Sequence, residues 1–134
     1  MINRHDLCIG NWVYDGERTQ FPMQVVGIGT DYVYLDFEGN EGDLWESTPN
    51  DVEGIPLTEE LLLKLGAKQV LEKEFYFVLE DSERECLYLE LMMLGKGFTP
   101  TCNIYYDIGK PILYLHELQN IYWNLGKKQL NIKL

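Results

Sequence analysis

In "YLHELQNIYW", residues 114–123, His116 and Glu117 stand where a zinc-protease helix would begin its metal site. That chemistry needs a second histidine four residues on, because side chains at i and i+4 leave a helix on one face and can grip one ion. The residue four after His116 is Asn120, a poor zinc ligand, and the only other histidine is His5. No zinc site is expected. The acidic stretch "DFEGNEGDLWES" invites a calcium reading, with Asp36, Glu38 and Asn40 at the first, third and fifth positions of an EF-hand loop. The sixth position requires glycine and is Glu41, and the twelfth requires glutamate and is Ser47. Weak cation binding by Glu38, Glu41 and Asp43 is the most that stretch supports, and a solvated hairpin tip explains it better.

Other chemistries lack their residues. There is no Gly-x-Ser-x-Gly elbow, no Gly-x-Gly-x-x-Gly and no phosphate-loop lysine. Carboxylate pairs such as Glu72 and Glu74 are too common in an acidic chain to indicate glycosidase or proton-transfer work. No catalytic residue, metal or cofactor is therefore expected. Nine tyrosines could serve as stacking platforms for single strands, but such platforms need a basic groove beside them.

Charge argues the same way. The net charge is −11, and residues 1–60 carry 13 acids against Arg4 and Arg18, so that half alone holds the whole imbalance. Direct nucleic-acid binding through it is not expected, because a phosphate backbone would be repelled and release no counterions. A basic protein partner suits it, as does imitation of nucleic acid toward a DNA-binding protein; an acidic surface that only confers solubility is the plainer account.

The elements that would position these residues begin with short strands. "LCIGNWVY", "FPMQVVGIG" and "DYVYLDFE" are separated by turn residues, and Val33, Leu35 and Phe37 alternate with Tyr32, Tyr34 and Asp36. Gly27 and Gly29 interrupt the second run as a bulge or sharp bend would. "LWES" reads as a short strand and "TPNDVEGIP" as irregular. A small, strongly curved SH3-like sheet or barrel is expected over residues 1–56. Thr58 then caps a short helix whose stripe is Leu61, Leu62 and Leu65, with Gly66 ending it. Three strands are expected at Glu74–Glu80, Cys86–Leu94 and Cys102–Ile108, with "GKGFTP" as a connection. A final helix starts near Pro111 and is capped by Gly126. Residues 57–134 thus read as an α-β-β-β-α unit, with the last helix packed on an antiparallel sheet; the fold class is α+β.

At about 100° per residue, Tyr114, Leu115, Leu118, Ile121, Tyr122 and Leu125 share one face of that helix. His116, Asn120 and Trp123 share the other. A tryptophan on a nominal solvent face implies either a covering layer or a contact surface, and a homodimer is one such contact. Composition, at 46% hydrophobic and 25% charged residues, fits a globular chain, and no apolar run approaches the roughly 20 residues of a membrane span. The first residues lack the features of a signal peptide, and Cys8, Cys86 and Cys102 form no CxxC pair, so a reduced, cytoplasmic protein with buried cysteines is expected.

Two stretches together, "IPLTEELLLKLGAK" from Ile55 and "LYLHELQNIYWNLGKKQLNIKL" from Leu113, resemble a family of small proteins of gut-associated bacteria and their prophages. Its members pair a strand-rich N-terminal part with an "IPLTEExLLKxG" segment and end in an "HxLQNxY" helix. The resemblance covers about a third of the chain, and residues 70–110 depart from it freely. It implies an accessory, mobile-element-encoded protein and no catalytic residues. Three functions follow in order: a non-enzymatic protein acting through protein–protein contact, a nucleic-acid-mimicking inhibitor, and an enzyme of unrecognised type. Glu38, Glu41, Asp43, His116, Asn120 and Trp123 are the expected contact residues.

Overall fold

The computed structural model describes residues 2–16, 18–38, 45–81, 86–95, 97–102 and 110–134. Alternation builds the first sheet. Strands β1 (Trp12–Asp15), β2 (Arg18–Ile28), β3 (Val33–Asp36), β4 (Trp45–Ser47) and β5 (Val52–Gly54) pair antiparallel in the order β4-β3-β2-β1-β5. Val13, Met23, Val25, Val33, Leu35 and Val52 bury one side of it, joined by Ile2 and Leu7 from the segment before β1. Each such side chain contributes about 1.5–3 kcal/mol relative to exposure. Residues of the opposite parity, Trp12, Tyr14, Gln24 and Tyr34, are half-buried on the other side.

The interruption at Gly27 is a bulge: the register of β2 against β3 shifts between Val25 and Gly27. The Tyr34 ring lies across that glycine, so an added Cβ would come within 3.2 Å of it. The expectation of an irregular "TPNDVEGIP" is corrected. Pro49–Asp51 form one turn of 3-10 helix, and β5 returns to pair with β1 through Val13–Gly54 and Asp15–Val52. Three residues are too few for alternation to announce a strand. Among the described residues the sheet is open, with β4 and β5 as its edges.

The second sheet follows α1 (Glu59–Lys64). Thr58 caps this helix as its sequence predicts, its Oγ1 accepting the Leu61 N–H at 3.0 Å, and Glu59 and Glu60 occupy the first turn. Leu62 and Leu65 are buried, and Gly66 takes φ +99° to end the helix. Strands β6 (Lys68–Leu71), β7 (Glu74–Asp81), β8 (Cys86–Leu94) and β9 (Gly97–Cys102) are antiparallel neighbours in that order. Among the described residues the unit therefore has four strands, two of them, β6 and β9, beyond those expected. "KQVL" is a strand, and most of "GKGFTP" is strand β9 rather than a connection. Residues 103–108 of the third expected strand lie outside the described residues.

One face of this sheet buries Phe75, Phe77, Leu79, Leu89, Leu91 and Phe98, with Phe75 and Phe98 in edge-to-face contact. The last helix, α2, spans Leu115–Gly126. It starts later than Pro111 suggests, because Ile112 and Phe98 exchange backbone hydrogen bonds at 2.7 and 2.8 Å before the chain turns helical. Tyr114 precedes the first helical residue and its N–H donates to Glu117 Oε1 at 3.2 Å, half of a capping box. Gly126 is the last helical residue; Lys127 takes the left-handed conformation at φ +54° that glycine was expected to supply.

The chain divides into two compact units. Met1–Pro56 and Tyr114–Asn120 form one; Leu57–Leu113 and Ile121–Leu134 form the other. The first half of α2 therefore belongs with the first sheet, and the second half with the second sheet, where Tyr122 meets Phe77 edge to face with centroids 5.8 Å apart. Among the described residues no helix is long and apolar enough to cross a membrane.

Candidate interaction surface

The His116–Asn120–Trp123 face of α2 does not exist as one surface. His116 is 3% exposed, and its ring lies nearly parallel to that of Tyr114, with centroids 5.9 Å apart. Burial pushes its pKa down to about 4, against an opposing upward pull from Asp6, so the ring is neutral at pH 7. Its Nδ1 is buried without a hydrogen-bond partner among the described residues. Asn120 is half-buried and bonded on both sides: its Oδ1 accepts from Asn11 Nδ2 at 2.9 Å, and its Nδ2 donates to the Asp6 carbonyl at 3.0 Å. Only Trp123 remains outside, 48% exposed. Of the acidic residues, Glu38 is exposed, while Glu41 and Asp43 lie outside the described residues.

The helical wheel goes wrong here for a physical reason. It assumes that one face of a helix is covered. In the first unit the segment before β1 covers the other face as well. Gln119 makes this plain: its Oε1 accepts the Trp12 N–H at 2.8 Å and its Nε2 donates to the Gly10 carbonyl at 3.0 Å. A glutamine and an asparagine thus satisfy backbone and side-chain groups between Asp6 and Trp12. Gly54 belongs to the same arrangement, because a Cβ there would sit 2.5 Å from the Tyr114 ring.

A second buried polar group lies between strands. Asp15 is buried at the end of β1, where Trp45 Nε1 donates to its Oδ2 at 2.6 Å and the Ser47 hydroxyl lies 3.5 Å from its Oδ1. This carboxylate ties β1 to β4, two strands that are not neighbours in the sheet. Cys8, expected to be buried, is exposed. Among the described residues no three His, Cys, Asp or Glu side chains gather as a metal would require.

The outer faces of the two sheets are where polar and aromatic groups stand together. Across the first sheet the register sets Glu46 beside Tyr34, Asp36 beside Gln24 and Trp12, and Glu53 beside Tyr14. Across the second it sets Lys68, Tyr76, Glu90 and Thr101 in one row, and Leu71, Glu74, Met92 and Thr99 in the next. Tyr76 is held by an edge-to-face contact with Tyr88, centroids 5.6 Å apart. Between these rows lies a groove of about 260 Å³. Sequence reasoning missed it because two of its four strands, β6 and β9, went unread. The alternation of Phe75 and Phe77 with Glu74 and Tyr76 was the available signal.

The chain matches no protein-family profile, no curated protein and no solved structure.

Proposed function

We propose that this is a non-enzymatic, cytoplasmic accessory protein that acts by binding another protein through a basic segment. The observation that carries the reading is the outer face of the first sheet, where Trp12, Tyr14 and Tyr34 alternate across strands with Asp36, Glu46 and Glu53. Aromatic faces and carboxylates in alternation suit lysine and arginine side chains, by cation–π contact and by charge. Residues 1–56, the part of the sequence that builds this sheet, hold 11 acids against Arg4 and Arg18. We read this unit as SH3-like: a five-strand meander whose last strand returns to the first, with a bulge in β2, uses the devices by which small barrels curve. The resemblance to gut-bacterial and prophage proteins supports an accessory role of mobile-element origin. Glu38, exposed in the same unit, extends this face, and Trp123, exposed in the second unit, is a separate contact residue.

The test is charge reversal. The partner retained by the immobilised wild-type chain should be released by roughly 0.5 M salt, since exposed charges are then screened within a few ångströms. It should not be retained by the triple variant Asp36→Lys, Glu38→Lys, Glu46→Lys. Unchanged retention by that variant overturns the reading. If the retained protein binds DNA, and DNA and this chain displace one another from it, the contact is mimicry of nucleic acid by the same acidic face.

A further inference from the structure

We propose that the groove on the outer face of the second sheet receives an arginine side chain presented by a partner protein. It shares no residue with the first-sheet face and stands on its own observations.

The groove is lined by Glu74 and Tyr76 of β7, Glu90 and Met92 of β8, and Thr99 and Thr101 of β9, with Val70 at the β6 side. Val70 is 61% exposed and Met92 43%. They offer apolar contact of the kind that the methylene stem of a long cationic side chain covers. Tyr76 stands opposite Glu90, and Glu74 opposite Met92, so the two carboxylates are diagonal neighbours on adjacent strands. Diagonal positions lie about 7–8 Å apart, a span that one planar guanidinium can bridge with its five donors. Glu90 Oε2 receives a long contact, 3.4 Å, from the Thr101 hydroxyl.

Charge decides the occupant. The lining holds two carboxylates and no base; Lys68 lies opposite Tyr76 on β6, outside the lining. An anion would be repelled. A purely apolar group would strip water from two carboxylates without replacing it. A cation satisfies both and meets the Tyr76 ring as well. Arginine is favoured over lysine because its planar fork can engage both carboxylates while lying against an aromatic ring.

The experiment is an amide NMR titration of the full chain. The probes are a peptide carrying three arginines spaced by glycine and serine, and the same peptide with citrulline in place of arginine, which keeps the shape and removes the charge. The arginine peptide should give saturable shifts at Tyr76, Glu90, Met92 and Thr99, and the citrulline peptide none. The double variant Glu74→Gln, Glu90→Gln, folded by its own spectrum, should bind about tenfold more weakly. Asp36→Lys with Glu46→Lys should leave these shifts in place, which separates this groove from the first-sheet face. Shifts confined to β1–β3, equal binding of the citrulline peptide, or no saturable shift in the second sheet would each overturn the proposal.

Discussion

The two units are held together by different chemistry. Among the described residues, the four buried polar or charged side chains, Asn11, Asp15, Ser47 and His116, all belong to the first unit, whereas the buried side chains of the second are apolar. The first unit is small, its strands β4 and β5 have three residues each, and side chains complete what the backbone ladder leaves open. The second has longer strands and a phenylalanine–leucine core that closes without such help. Buried polar groups fix geometry because only one arrangement satisfies them. Apolar cores tolerate repacking as long as volume is kept. The first unit should therefore be sensitive to chemistry and the second to volume.

The largest effect that sharpens this contrast is a cavity in the second unit. Phe75→Ala removes a side chain that is 2% exposed and should cost about 3–5 kcal/mol. Hydrogen exchange should show the loss in β7 and β8, with β1–β3 protected to the wild-type level. Equal loss of protection in both sheets would mean that the two units unfold as one.

Acid should act on the other side of the comparison. His116 has a folded pKa of about 4, below its ordinary 6.5, so the unfolded chain binds the extra proton first. The stability this neutral ring confers is present above pH 6.5 and is lost as pH falls toward 4, by about 3 kcal/mol in full. Replacing it by glutamine should flatten that part of the pH profile, read as the difference between variant and wild type in urea midpoints from pH 7 to pH 4. An identical slope in both proteins would remove His116 from the account. A smaller effect, about 1–2 kcal/mol, is expected from Asn120→Ala, which strips Asn11 Nδ2 and the Asp6 carbonyl of their partner at once. Denaturation should place that loss in the first unit.

Legibility in the sequence follows the same division. Elements set by local rules were readable: the alternation of β3, the Gly27 bulge, the Thr58 cap and the Gly66 terminus. Elements set by distant partners were not. Strand β6 has all four residues exposed, and its turn into β7 uses Lys73 at φ +71° where asparagine or glycine would have signalled a hairpin. Strand β9 contains Gly97 and Pro100, both poor strand formers; among the described residues it is the last strand of the sheet, where proline is tolerated, and a Cβ at Gly97 would sit 3.0 Å from the Ile112 carbonyl. His116 was placed on a solvent face because nothing near it in sequence reveals that residues more than a hundred positions away cover it.

The partnership of Asn11 with Asn120 and of Trp12 with Gln119 also has a consequence for the order of synthesis. The first 56 residues leave the ribosome before the stretch that completes their unit exists, and residues 57–113 must be made in between. At about 5–20 residues per second this takes roughly 3 to 11 s. Throughout that interval the nascent first sheet carries the Trp12 N–H and the Asn11 amide without the partners that α2 later brings. Its final state is reached from the end of the chain backwards.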